Sequence, residues 1–142
     1  MRRLGLILLL GLLAGCGKTA AQSQADDLRA WQGTWKLVKY IEAGESQTAD
    51  MQWVVSGDHY NIRTEGHTGS DPYTITLDAE HKHIDVFHHD TPAGTYGGRY
   101  KGIYDLQGDS LRVCYDLTAQ RYPASFDAPP GSRRAVFQFQ RQ

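Results

Sequence analysis

Between His81 and Asp90 the chain reads His81-Lys82-His83-Ile84-Asp85-Val86-Phe87-His88-His89-Asp90, which gathers four of its six histidines into ten positions. On an extended strand His83, Asp85 and His89 project from one face. Alternate residues there lie about 6.5 to 7 Å apart, close enough for two side chains to share a metal ion. A catalytic zinc site takes three protein ligands and a structural one takes four. The other two histidines, His59 and His67, stand elsewhere in the chain, and nothing in the spacing brings them to this segment. The run therefore reads as a polar strand face with solvated histidines, and no metal is expected.

Cys114 is the second candidate for chemistry. It sits inside a strand-like run with Leu111, Val113 and Tyr115, so it reads as a small buried core residue rather than a thiolate nucleophile. The chain has no Gly-x-Ser-x-Gly elbow, no phosphate-binding glycine loop and no paired-carboxylate motif. Asp105 and Asp109 read as a strand end and a turn. No catalytic residue and no cofactor are expected, and the chain is not read as an enzyme.

The aromatic residues are more informative: eight tyrosines, three tryptophans and four phenylalanines exceed what a small surface can display. Several must face inward, and Trp53, Tyr60, Tyr73, Tyr104 and Phe137 are the expected lining of an apolar cavity whose hydroxyls orient a ligand. The same side chains are equally able to fill a small barrel completely.

The elements that position them are strands. Tyr60, Ile62 and Thr64 alternate with Asn61, Arg63 and Glu65, and Tyr73, Ile75 and Leu77 alternate with Thr74, Thr76 and Asp78, which is the period of a half-buried strand. Further strands are expected over 35–41, 52–56, 83–88, 100–106, 110–116 and 134–141. Ser56-Gly57-Asp58, Gln107-Gly108-Asp109 and Ala128-Pro129-Pro130-Gly131 supply turns between them. About eight short hairpin-linked strands make an all-β fold, a closed antiparallel barrel or a sandwich. Before the first strand, Asp26 is placed to cap a short helical turn through Leu28 and Trp31, which Gly33 ends.

The chain opens with Arg2 and Arg3, an apolar stretch from Leu4 to Leu13, and small residues before Cys16. This is the order of a secretory signal, and the stretch is shorter than the roughly 20 residues a membrane-spanning helix needs. Leu13-Ala14-Gly15-Cys16 resembles the lipobox of bacterial lipoproteins. The resemblance implies removal of residues 1–15 and attachment of lipid to Cys16, with Gly17 in place of aspartate favouring the outer membrane, facing the periplasm. Residues 16–25 then form the lipidated cysteine and a flexible tether, without large apolar side chains and reaching roughly 15 to 20 Å. Residues 26–142 form the barrel domain. Without residues 1–15 the chain keeps 13 basic against 16 acidic residues, a net charge of −3, so it lacks the basic field of a nucleic-acid binder. With Cys16 lipidated, Cys114 has no partner for a disulfide.

Trp31-Gln32-Gly33-Thr34-Trp35-Lys36-Leu37 resembles the Gly-x-Trp opening of the lipocalin and fatty-acid-binding group, in which the tryptophan plugs one end of an up-and-down eight-stranded barrel. The resemblance implies that Arg141, in the last strand, lies over Trp35 as the other half of that plug. Lys82-His83-Ile84-Asp85, Gly102-Ile103-Tyr104, the run Gly108-Asp109-Ser110-Leu111-Arg112-Val113-Cys114-Tyr115, and Arg121-Tyr122-Pro123-Ala124-Ser125-Phe126 resemble a small lipocalin-like family found chiefly in planctomycete genomes. Order and spacing fit over nearly all of the chain after Cys16. Tyr122 interrupts the usual Arg-Pro pair, and His81 stands where a proline is common. That family carries no established activity.

Three function classes remain. The first is a lipid-anchored barrel that binds a small hydrophobic or amphiphilic molecule in the cell envelope, and it predicts an interior void. The second is a packed barrel that recognises a protein or glycan through its outer face, and it predicts an exposed patch rich in Tyr or Trp. An enzyme would need His83, Asp85, His88 or His89 to converge with another polar group in a cleft. The expected partners are the membrane, through the lipid, and a small apolar ligand.

Overall fold

The structure, a computed structural model, describes residues 17–68, 73–89 and 98–142. Residues 1–15, expected as a leader, Cys16, expected as the lipidation site, and most of the glycine-rich connection around Tyr96 lie outside the described residues. Helix α1 (Ala20–Trp31) is followed by β1 (Gly33–Glu42), β2 (Glu45–Gln47), β3 (Met51–Ser56), β4 (His59–Thr64) and β5 (His67–Thr68). Then come β6 (Tyr73–Asp78), β7 (His83–His88), β8 (Arg99–Gln107), β9 (Ser110–Asp116) and β10 (Arg134–Arg141).

The long strands pair antiparallel with their neighbours in chain order, and β10 pairs back onto β1. The result is a closed eight-stranded up-and-down barrel, with β2 added to the far half of β1 and β5 to the end of β4. Closure leaves the long strands no free edge to template association. Alternation puts Trp53 and Val55, Ile75 and Leu77, Ile84 and Val86, and Leu111 and Val113 inside, all nearly inaccessible to solvent. A bulge in β1 between Leu37 and Lys39 breaks this parity, leaving Val38 63% exposed and half-burying Tyr40 against the interior cluster.

The helix corrects one expectation. Residues 20–25, expected as flexible tether, are its first turns, and the cap is Thr19 rather than Asp26. Thr19 and Gln22 form a reciprocal capping box, in which the Thr19 hydroxyl accepts from the Gln22 N–H and the Gln22 side chain accepts from the Thr19 N–H. Local caps and alanines thus supply order that large apolar side chains do not. Tertiary contacts hold the other end: Trp31 is fully buried, and the Gln32 amide exchanges two hydrogen bonds with the backbone of Gly57 in the β3–β4 turn.

Trp35 is fully buried beneath the helix and donates its indole N–H to the Trp31 carbonyl at 2.7 Å. The Arg141 guanidinium stands 4.1 Å over the Trp35 ring. It also donates to the carbonyls of Gln32 and Ala30 at 2.6 and 2.8 Å, and to Asp109 at 2.9 Å. One planar cation therefore covers the tryptophan, satisfies carbonyls at the helix C-terminus and ties both to the β8–β9 turn. Gly33 joins helix to strand with φ of +112°, a left-handed-side conformation that suits glycine. Arg141→Met is expected to cost about 1 to 3 kcal/mol in urea unfolding. Arg141→Lys should recover less than half of that, because a lone ammonium cannot fork between two carbonyls.

Candidate functional site

Four of the five residues expected to line a cavity do so together. Trp53, Tyr60, Tyr73 and Phe137 border a void of about 180 Å³ at the end of the barrel away from the helix. Tyr40, Met51, Ile62, Tyr100 and Tyr115 complete the wall. The fifth, Tyr104, is a correction: it lies at the closed end, edge-on to Trp31 with ring centroids 5.4 Å apart. Its hydroxyl donates to Asp27 of the helix, which also pairs with Lys82. Alternation places Tyr104 inside the barrel correctly, but its position along β8 puts it beside the plug.

The cavity wall is built from stacked rings. Trp53 stacks on Tyr60, Tyr60 on Tyr73 and Tyr73 on His88, with centroids 4.3 to 4.6 Å apart and planes within 19° of parallel. Tyr40 stacks on Phe137 at 4.6 Å, and Phe137 lies 5.6 Å from Trp53. Tyr40 donates to the Glu42 carboxylate. The Tyr60 and Tyr115 hydroxyls lie near each other but not in bonding geometry, and that of Tyr115 has no partner among the described residues. Burial, above all, raises the pKa of both hydroxyls, so they stay neutral at ordinary pH.

No family model matches the chain, and no curated protein matches it. The crystal structure of an uncharacterized protein from Bacteroides eggerthii is similar, with a TM-score of 0.53 and 12% identity, over 79% of this chain and 99% of that one. At that identity the likeness carries the fold alone.

The histidine run faces both ways. Ile84 and Val86 point inward, while His83 and Asp85 lie on the outer face, where the 117–133 connection crosses them. Tyr122 stacks on His83 at 3.8 Å and donates to Asp85 at 2.6 Å. His89 bonds to Thr74, with 2.5 Å between Nε2 and Oγ1. Among the described residues no three His, Cys, Asp or Glu side chains converge as metal ligands.

Cys114 is buried as expected but not inside the barrel. Leu111, Val113 and Tyr115 point to the interior, and Cys114 points out into a second apolar cluster with Val136, Ala128, Ile103 and Phe126 beneath the 117–133 connection. Burial pushes its thiol up to about 11, which keeps it protonated and a poor nucleophile at neutral pH. The tyrosines share this behaviour: Tyr60, Tyr104 and Tyr115 are raised from 10.0, and Tyr122 is raised to about 12. Unfolding returns all of them toward ordinary values, so the unfolded chain releases protons more readily between pH 9 and 12. Stability contributed by these neutral groups is full below pH 9 and lost as pH rises through that window. The melting temperature should fall steadily above pH 9, with the tyrosinate absorbance of Tyr60, Tyr104, Tyr115 and Tyr122, each identified by its Tyr→Phe variant, appearing together with unfolding and not before it. Loss of a tyrosinate signal near pH 10 from the folded chain on Tyr60→Phe or Tyr115→Phe would contradict this burial.

Proposed function

We propose that the chain is a lipid-anchored envelope protein whose barrel binds one small hydrophobic or amphiphilic molecule in its aromatic cavity. The observation that carries this reading is the cavity itself. A barrel that served only as a scaffold has no need of a void among nine closely set apolar and aromatic side chains. The lipobox-like ending at Cys16 supports the anchor, and acyl chains on that cysteine keep the barrel at the membrane where amphiphiles are concentrated. Its placement at the outer membrane, facing the periplasm, rests on Gly17.

A second reading has one observation of its own. An outer groove of about 510 Å³ runs over β6 to β8, bordered by Thr74, Thr76, Asp85, Arg99, Lys101 and Thr118, and it suits a glycan or peptide. Its polar groups are already engaged, however: Lys101 sits over the Tyr122 ring, Arg99 over Phe87, and Asp85 accepts from Tyr122. Among the described residues the only large hydrophobic residue exposed is Val38, so the aromatic patch of a docking face is missing there. The cavity is the better site.

Native mass spectrometry of the protein from its own envelope, before and after denaturation, tests both parts. An added mass that leaves on denaturation is expected from the cavity guest, and a diacylglyceryl mass that stays, absent in Cys16→Ser, from the anchor. A bare chain mass that mixed membrane lipids do not change would sink the carrier reading.

A further inference from the structure

The aromatic cavity is open on one side, so a guest is able to leave part of itself outside, and the residues beside the opening select that part. Tyr40 and Phe137 line the void and stack on each other, and the Tyr40 hydroxyl donates to the Glu42 carboxylate. Burial, and then that carboxylate, raise the Tyr40 hydroxyl above its ordinary pKa, so it keeps its proton and Glu42 remains the acceptor. Beyond the bulge the register is unbroken, with Tyr40 opposite Phe137 and Glu42 opposite Ala135. Glu42 therefore shares the inner face of β1 with Tyr40, one step nearer the open end.

A second carboxylate joins it. β1 turns into β2 through Ala43 and Gly44, both at positive φ (48° and 87°), and this two-residue hairpin puts Glu45 directly across from Glu42. Directly opposed residues project from the same face of a ladder, so Glu45 stands on that face as well. The turn is fixed in place. The Ala43 N–H donates to the Arg134 carbonyl at 3.1 Å, and Gly44 sits so close to Pro130 that a β-carbon there would stand 2.6 Å from its ring. Like charges directly opposite each other on paired strands repel and ordinarily cost stability. Among the described residues neither glutamate is in an ion pair, and the Arg134 guanidinium beside this turn pairs with Asp127 instead.

We infer that the cavity, read as a ligand site as proposed above, takes an amphiphile whose polar head carries an ammonium group, held at Glu42 and Glu45 with the apolar part among the aromatic rings. An ammonium has three N–H donors and offsets the repulsion between the two carboxylates. None of the nine residues that line the void is charged, so the apolar part meets only apolar and aromatic side chains. An anionic head is repelled from the same place.

Three probes with one eight-carbon tail, octylammonium, octanol and octanoate, separate the readings by isothermal titration of the purified full chain below their micelle-forming concentrations. Octylammonium is expected to bind about three- to tenfold more tightly than octanol, and octanoate least. Raising the salt to about 0.5 M should shrink that preference. Glu42→Gln and Glu45→Gln should each reduce it, and the double variant should bring it to near unity. Glu80→Gln removes the same charge from the exposed β6–β7 turn at the closed end, and it should leave the preference in place. Equal binding of the three probes, tightest binding by octanoate, or a preference that survives the double variant would overturn the inference and leave the carrier reading intact. Failure of all three probes to bind would overturn both together.

Discussion

Trp35→Ala is expected to lower the unfolding free energy by about 3 to 5 kcal/mol and the melting temperature by roughly 10 to 20 °C. The indole is fully buried, donates to the Trp31 carbonyl, carries Arg141 on its face and lies across from Trp53 on β3. Truncation leaves a cavity, strands a helix-end carbonyl and removes the surface on which the guanidinium rests. Those losses fall at one junction, where helix, first strand and last strand meet. A domain of this size typically has only about 5 to 15 kcal/mol of stability in all. Trp35→Phe separates the contributions: it keeps most of the apolar body and loses the hydrogen bond, at an expected cost of about 1 to 2 kcal/mol. Urea unfolding followed by circular dichroism measures both. A loss below about 1 kcal/mol for the alanine variant would mean that the closed end is held by other contacts.

Gly102→Ala should destabilise the barrel by about 1 to 3 kcal/mol through overpacking and abolish the guest binding proposed for the cavity. Gly102 lies in β8 opposite Tyr115 of β9, and a β-carbon there would stand 2.6 Å from the Tyr115 ring and 2.7 Å from the Cys114 carbonyl oxygen. Ordinarily an alanine stabilises such a position by about 0.4 to 1 kcal/mol, because the unfolded chain has fewer states to lose. The collision with backbone outweighs that gain, since a carbonyl in a paired strand cannot swing aside. The ring is driven toward the void it borders, which ties the stability effect to the binding effect. Pairing the change with Tyr115→Ala removes one of the two collisions, so the double variant should be more stable than additivity predicts. A Gly102→Ala barrel as stable as the parent would show that the Tyr115 ring has room to spare.

The outer strap explains a feature that chain order alone leaves obscure. Residues 117–133 return across β7 to β9, where Tyr122 engages His83 and Asp85, Phe126 lies beneath the Arg112 guanidinium at 4.0 Å, and Cys114 is covered. The histidine run and the cysteine, both candidates for chemistry by residue type, are thereby used in packing the barrel's outer layer. Residue type names the chemistry a side chain is able to perform. Its neighbours decide whether the side chain is free to perform it.

Much of this architecture is local in origin and therefore legible in the chain. Alternation over Tyr60–Thr64, Tyr73–Asp78 and Ser110–Asp116, with glycine-bearing turns at Gly57 and Gly108, determines the long strands and their hairpin order. The Thr19–Gln22 capping box was present in the sequence as well, though composition without large apolar residues masked it. What local pattern cannot determine is height along the barrel. Tyr104 and Tyr100 share the inner face of β8, yet closure of β10 onto β1 and the seating of the helix put the first at the plug and the second at the void. Nor does period two foresee the bulge at Val38, which brings Tyr40 to the cavity wall. Away from that bulge, the sequence by itself determined which strand residues face inward, because that depends on alternation along one strand. Only the tertiary structure decided which of them meet around an empty space, because that depends on the registers of all eight strands and on the helix that closes one end.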